Sequence, residues 1–394
     1  MTPSSQRYHA IDILRGLVMI IMALDHTRDF FHVTALTADP LDPATTTVPL
    51  YFTRWITHFC APIFVFLSGL SAAIASRKRT PAEAGAFLLK RGFWLVLVEL
   101  VIITLGITFN PFYNFVILQV IWAIGWSMII LGLLVRFAPK LILPVGLLLF
   151  LGHNILDFVT LPSEGSVSVL MRILLTASGT VLPLNQTHFI GVFYAILPWT
   201  GIMLLGYCLA GLYSPDYDPA KRRRWLYRAG AIVIAAFVII RGINVYGDPS
   251  RWQSFPHAYQ SFLSFLNTTK YPPSLLYHCM TIGPGLVLLA FFEQHQNAFT
   301  RFGEVYGKVP FFYYVIHFYL IHVITVICFF ATGHDASQIA DPNSPFLFRP
   351  IQYGFSLPVV YLVWMFIVLS LYYPCRWFGE YKRNHQGYWW LSYL

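Results

Sequence analysis

An all-α, polytopic integral membrane helix bundle is the fold class the sequence predicts, and three observations predict it. Of 394 residues, 57% are hydrophobic and only 11% are charged, where soluble domains carry roughly 25% charged residues. Mean hydropathy is +0.61. The apolar residues gather into about ten runs of about 20 residues, the length a bilayer-spanning helix needs. They fall near 11–31, 51–75, 87–108, 115–135, 140–160, 190–212, 225–246, 274–292, 309–331 and 355–374. No long polar linker separates them, so residues 1–394 read as a single transmembrane domain.

The first run lies in His9–His32, HAIDILRGLVMIIMALDHTRDFFH. It carries Asp12, Arg15, Asp25, His26, Arg28, Asp29 and His32. Each charge placed centrally in a bilayer costs on the order of 2.5–3.5 kcal/mol on insertion scales, so such a helix should line a polar site. At 100° per residue, Asp12, Arg15, Met19, Met22, His26 and Asp29 share one stripe. A structural Asp12–Arg15 pair with a snorkelling polar end explains that stripe equally well.

Later runs add histidines at similar depth. The second run holds Arg54 and His58, the fifth ends in His153, Asn154 and Asp157, and the eighth begins near His278. The ninth carries His317 and His322. Several histidines at one level predict a shared polar cavity opening at one face, although a lone intramembrane histidine more often only bonds a neighbouring helix. Between the fifth and sixth runs, Ser166–Ala177 has the spacing of a short interfacial helix. Tyr271-Pro272-Pro273-Ser274 makes a stiff entry into the eighth run.

Basic residues set the orientation. Alternate loops and both tails hold 18 of the 26 Lys and Arg, among them Arg7, Arg77, Lys78, Arg79, Lys90, Arg91 and the Lys221–Arg224 cluster. The opposite loops hold only Arg28, Arg172, Arg251, Lys270 and Arg349, while Arg15, Arg54 and Arg241 fall within or at the edge of runs. Both termini are therefore expected in the cytoplasm. The net charge of +9 reports topology and attraction to anionic lipid rather than nucleic-acid binding. The five cysteines stand singly, with no CxxC pair, which argues against a disulfide framework or a zinc site. No Walker-type phosphate loop is present.

The pattern Asp12-x-x-Arg15-Gly16, an apolar run and then His26 resembles the first span of integral-membrane acyltransferases. Phe64-Val65-Phe66-Leu67-Ser68-Gly69 resembles the second motif of the acyltransferase-3 group. LDHTRDFF (Leu24–Phe31), RWITHFCAPIFVFLSG (Arg54–Gly69), KYPPSL (Lys270–Leu275) and YYVIHFYLIH (Tyr313–His322) together resemble the bacterial heparan-α-glucosaminide N-acetyltransferase-like family. The resemblance implies transfer of an acyl group, usually acetyl from acetyl-CoA, to a sugar or glycan acceptor across the membrane. It implies residence in a bacterial cytoplasmic membrane.

On that resemblance, His26 is the expected general base, its ordinary pKa lying near neutrality. Asp29 or Asp25 is expected to orient it, and His32 competes for the role. Arg28, Arg54, His58 and His278 are candidates for acceptor or oxyanion contacts. Arg15, Arg77, Lys78 and Arg91 are candidates for the CoA phosphates. Acetyl-CoA is expected as co-substrate, with no metal. Expected partners are membrane lipids, the acceptor and, as an open alternative, further copies of the chain. The competing class is a secondary transporter or exporter of a polar solute, since intramembrane charges mark transport paths too. The lack of paired, Gly/Pro-broken spans in matching halves disfavours it. A non-catalytic scaffold would not need the histidines. A zinc site from His26, His58 and His278 has no supporting spacing.

Overall fold

The computed structural model describes residues 8–177, 179–385 and 387–392, so Arg7 lies outside it. The chain begins with α1 (His9–Phe31), followed by α2 (Val48–Thr57) and α3 (Cys60–Ser76). Next comes α4 (Pro81–Val98), which continues through a π-helical turn (Glu99–Ile103) into α5 (Thr104–Thr108). Strand β1 (Phe115–Leu118) precedes α6 (Val120–Phe137), α7 (Ile142–Gly152) and the short α8 (Gly165–Met171). Strands β2 (Thr180–Pro183) and β3 (Phe189–Val192) lead to α9 (Ile196–Leu209) and α10 (Pro219–Ile243). The remaining helices are α11 (Ala258–Leu266), α12 (Leu275–Phe292), α13 (Ala298–Gly307), α14 (Pro310–Ala331) and α15 (Leu357–Asn384).

Among the described residues, eight helical stretches are long and apolar enough to cross a membrane: Val48–Ser76, Val120–Phe137, Pro139–Phe158, Ile196–Tyr213, Pro219–Ile243, Leu275–Phe292, Pro310–Ala331 and Leu357–Asn384. The two other expected spans correspond to α1 and to the helical run from α4 to α5. Both are comparably long but more heavily charged. For α1 the packing explains this. It lies against α2, α3, α12, α13, α14 and α15, so its polar residues meet protein rather than lipid.

Two glycines singled out by the motifs are sites of close helix approach. A Cβ on Gly16 would lie 1.8 Å from the Gly303 carbonyl oxygen of α13, and one on Gly69 would lie 2.0 Å from the Met203 carbonyl oxygen of α9. Small residues let backbones approach in this way within membranes.

The structure corrects three expected boundaries. The fourth and sixth spans begin at Val120 and Ile196, because Phe115–Leu118 and Phe189–Val192 pair as parallel strands. β2 adds antiparallel to β3, giving the order β1-β3-β2. Pairing satisfies backbone groups where the chain leaves the helices. The second span is broken at His58–Phe59. Pro62 has no N–H for the His58 carbonyl, and that carbonyl accepts instead from the Tyr277 hydroxyl at 2.9 Å. The interfacial helix expected at Ser166–Ala177 is present as α8 and the turn Arg172–Thr176.

Candidate active site

The α1 stripe lines three cavities that follow one another along the helix. The broadest, of about 710 Å³, opens at the end where the basic loops lie. It is lined by Asp12, Arg15, Ser71, Arg77, Lys78 and Arg79, among others. The second, of about 170 Å³, again has Arg15 and Ser71 in its wall, with Arg91, Lys308 and Lys382. Phe64 is shared between this cavity and the third, of about 80 Å³. Met19, Met22, Asp25, His26 and Asp29 face the third cavity from α1. Arg54, Thr57, Cys60, Gln119, Tyr194, Lys270 and Tyr271 complete it. Arg15 and His26 are eleven residues apart on one helix, so the cavities bridge about 16 Å of depth.

At the lower end Arg15 is held in place. Its Nη1 donates to Asp12 Oδ1 at 3.1 Å and to the Gly307 carbonyl at 3.2 Å, and its Nη2 donates to Ser71 Oγ at 2.5 Å. The close approach at Gly16 puts the Gly307 carbonyl within its reach. Arg77 donates to the Ala210 carbonyl at 2.9 Å and thus spans α3 and the end of α9.

At the upper end four charges form one network. Arg54 Nη1 donates to both oxygens of Asp25 at 2.5 Å. Arg28 Nη2 donates to Asp25 at 3.3 Å and to Asp29 at 2.5 Å. Asp25 is therefore clamped between two guanidinium groups in a poorly solvated place, where ion pairs are screened little. Lys270 enters from the loop before α12. Its Nζ lies 5.1 Å from the Tyr271 ring centroid and 5.9 Å from that of Tyr194, a cation–π setting. The buried Asp248 carboxylate fixes this loop. It accepts from Thr269 N and Oγ1, both at 2.9 Å, and from Ser274 Oγ at 2.6 Å.

The expected site residues divide in three dimensions. His26, Asp25, Asp29 and Arg54 meet at the upper cavity, and Arg28 bridges its two carboxylates. Arg15, Arg77, Lys78 and Arg91 meet around the two lower cavities. His32 lies apart from the cavity wall. It caps α1, its ring bonds Thr34 Oγ1 at 3.0 Å, and its carbonyl accepts from Arg349 at 2.8 Å. Burial, with Arg28 and Arg349 nearby, pushes its imidazole below the usual histidine range. His58 and His278 are not among the lining residues: His58 lies edge-on to Tyr277, and His278 contacts Trp199 and Phe150.

Neither carboxylate expected to orient His26 is hydrogen-bonded to it. Asp25 and Asp29 are bonded to arginines, and among the described residues no hydrogen bond engages the His26 ring. The ring packs on Phe318 at 4.4 Å and beside His317 at 5.4 Å between centroids. His317 Nδ1 lies 2.6 Å from the Tyr314 carbonyl, so it carries the hydrogen and Nε2 is left as the acceptor. That Nε2 is buried without a partner among the described residues.

Residues from other elements, missed by the sequence reading, line the same cavity: Gln119, Tyr194, Lys270 and Tyr271. For Lys270 a signal existed, since it is one of the few basic residues in a loop where charge bias predicts none. Gln119 and Tyr194 carried no such signal. Among the described residues no group of three or more His, Cys, Asp or Glu is placed to hold a metal ion, and the five cysteines are free thiols.

Among curated proteins no match to the chain is found. The family model for the heparan-alpha-glucosaminide N-acetyltransferase catalytic region matches residues 7–246. That segment contains Arg15, His26, Arg54, Gln119 and Tyr194, while Lys270, Tyr271 and His317 lie beyond it. With more than half its length matched and a membrane-spanning helix bundle around the site, the chain belongs to the heparan-alpha-glucosaminide N-acetyltransferase catalytic family.

Proposed function

We propose that the chain transfers an acetyl group from cytoplasmic acetyl-CoA to a sugar or glycan acceptor on the outer face of a bacterial inner membrane, with His26 as general base. The observation that supports this reading best is the run of three cavities along one stripe of α1, from Arg15 to His26. Arg15, Arg77 and Lys78 in the open cavity and Arg91 in the next offer charge-assisted hydrogen bonds to the CoA phosphates. The narrower cavities then suit the extended pantetheine arm, which would bring the thioester to His26. The acceptor's proton passes to His26, and from His26 to the departing thiolate. Asp25, Arg28, Asp29 and Arg54 keep the acceptor side polar, and the network ties α1 to α2.

A transporter would need the three cavities to open alternately to the two faces. The upper cavity is narrow and closed in by tyrosines, which suits a reaction chamber better than a solute path. The test uses purified protein in proteoliposomes with labelled acetyl-CoA on the basic-loop side and glucosamine on the other. The wild type should yield labelled N-acetylglucosamine on the glucosamine side, and His26→Ala should not. Full transfer by a His26→Ala protein that still binds acetyl-CoA would remove His26 from the role. Glucosamine movement without acetyl-CoA consumption would favour transport.

A further inference from the structure

Resting on the transfer reading above, we propose that Lys270 is a catalytic residue whose ammonium stabilises the oxyanion formed when the acceptor attacks the thioester. Five charged side chains gather at the upper cavity. Asp25, Arg28, Asp29, Arg54 and Lys270 line or adjoin it. Four of these bond one another, two carboxylates to two guanidinium groups. Lys270 is the fifth. Among the described residues no carboxylate lies within salt-bridge distance of its Nζ, and its neighbours are the faces of Tyr194 and Tyr271.

Aromatic faces hold an ammonium without using its N–H groups as a carboxylate would. The donors of Lys270 are thus available to a ligand. One net positive charge in a poorly solvated chamber favours whatever becomes negative there. In acyl transfer that is the carbonyl oxygen. The other expected oxyanion donors are worse placed. Arg54 and Arg28 are bound to carboxylates, and neither His58 nor His278 is among the residues that line the cavity. Gln119 and the two tyrosines line the cavity but are neutral, and charge-assisted bonds are roughly twice as strong. Position is also fixed in advance. Asp248 bonds Thr269 and Ser274, one on each side of the Lys270–Pro273 segment, so the ammonium needs no large rearrangement to reach the reacting atom.

The step balances. The acceptor's lone pair forms a bond to the thioester carbon, and the C=O π pair moves onto oxygen beside the Lys270 ammonium. His26 takes the acceptor's proton. The C–S bond then breaks with its pair on sulfur, and the proton on His26 goes to the thiolate. Acyl–S–CoA and H–X become acyl–X and HS–CoA, and Lys270 stays protonated throughout.

The test is steady-state kinetics of the full chain in proteoliposomes, with acetyl-CoA and glucosamine, for wild type, Lys270→Met and Lys270→Arg. Lys270→Met should lower kcat by about 10²–10³-fold, as removal of one oxyanion donor does elsewhere, with little change in the KM for acetyl-CoA. Lys270→Arg keeps the charge and should recover much of the loss. Thermal protection by acetyl-CoA, bound at the far end of the cavities, reports folding. If Lys270→Met gives no protection, Lys270→Gln takes its place under the same criterion. A neutral variant that binds acetyl-CoA and keeps wild-type kcat overturns the proposal. So does a loss confined to the KM for glucosamine, which would make Lys270 an acceptor anchor. If the wild type transfers nothing, the transfer reading falls and this proposal with it; if it transfers and the neutral variant is unimpaired, only the role of Lys270 falls.

Discussion

Gly16→Ala should damage the protein where its motif predicts a function, and the geometry gives the size. The added Cβ would lie 1.8 Å from the Gly303 carbonyl oxygen, 2.6 Å from its carbon and 2.9 Å from Gly307 N. A carbon–oxygen contact relaxes at about 3.3 Å or more. Helix α13 must therefore back away from α1 by about 1.5 Å, since backbone atoms cannot turn aside as a side chain can. Alanine has a higher helix propensity than glycine by about 1 kcal/mol, which works in favour of the variant. Overpacking typically costs about 1–3 kcal/mol, and contact with rigid backbone belongs at the upper end. The net effect is a loss of about 2 kcal/mol. It should also reach the site, because moving α13 takes the Gly307 carbonyl away from Arg15 Nη1. The assays are the melting temperature in detergent and the Kd for acetyl-CoA. Melting should fall and the Kd should rise. Gly303→Ala is the control on the same contact. Its Cβ would meet the Leu17 side chain at 3.3 and 3.5 Å, which can adjust, and the Ile13 carbonyl oxygen at 3.8 Å, an ordinary van der Waals contact. Equal damage from Gly303→Ala, or an undamaged Gly16→Ala, would refute the reasoning.

Asp25→Asn removes the carboxylate shared by Arg54 and Arg28; Arg28 keeps its bond to Asp29, and the Arg54 guanidinium is left without a carboxylate. Breaking a buried pair in this way costs about 3–5 kcal/mol, read as a lowered melting temperature together with lost transfer. Tyr277→Phe takes the donor from the His58 carbonyl, which Pro62 leaves without its helical partner; the expected loss is about 1 kcal/mol, measured by thermal unfolding, with transfer retained. His317→Phe keeps an aromatic ring beside His26 but loses the hydrogen bond to Tyr314. It should lower kcat more than it lowers the melting temperature, and the reverse ordering would make His317 purely structural. His32→Gln should reduce melting temperature while leaving transfer in place, whereas His26→Ala should abolish transfer; the opposite pattern in the two variants would exchange their roles.

Fold class and the placing of the α1 stripe along the cavities were legible because they rest on local pattern. Apolar run length sets the spans, and helical spacing puts Arg15 and His26 on one stripe that does line the cavities. What stayed hidden depends on where other elements fall. Periodicity on α1 made Asp29 the natural partner of His26. The spacing could not show that Arg28 would take Asp29, or that Arg54, from a different helix, would take Asp25. Depth counting placed His58 and His278 at the level of His26, but depth says nothing of rotation, and neither residue lines the cavity. The strands escaped notice because Phe115–Leu118 and Phe189–Val192 are as apolar as the helices they precede.

Charge bias carried more information through its exceptions than through its rule. Basic residues in the favoured loops need no further reason to be there. A cation on the disfavoured side or within a span is costly unless something compensates it. Eight residues are such exceptions, and six of them are built into the fold. Arg15, Arg28 and Arg54 belong to the ion-pair groups of the candidate site, and Lys270 lies between its tyrosines. Arg241, 1% exposed, donates to the carbonyls of Phe265, Ser250, Ser264 and Asn267 and so gathers the loop that ends at Lys270. Arg349, fully buried, donates to the carbonyls of His32, Pro350 and Tyr353 and ties down the end of α1. Arg251 and Arg172 are exposed or bonded only at the surface, and nothing in the structure explains them. The misplaced cations thus trace the candidate site and its supports, from α1 through α2 to the loop before α12. This extends past residue 246, where the family match ends, so the last third of the chain supplies part of the chamber rather than a mere cover for it.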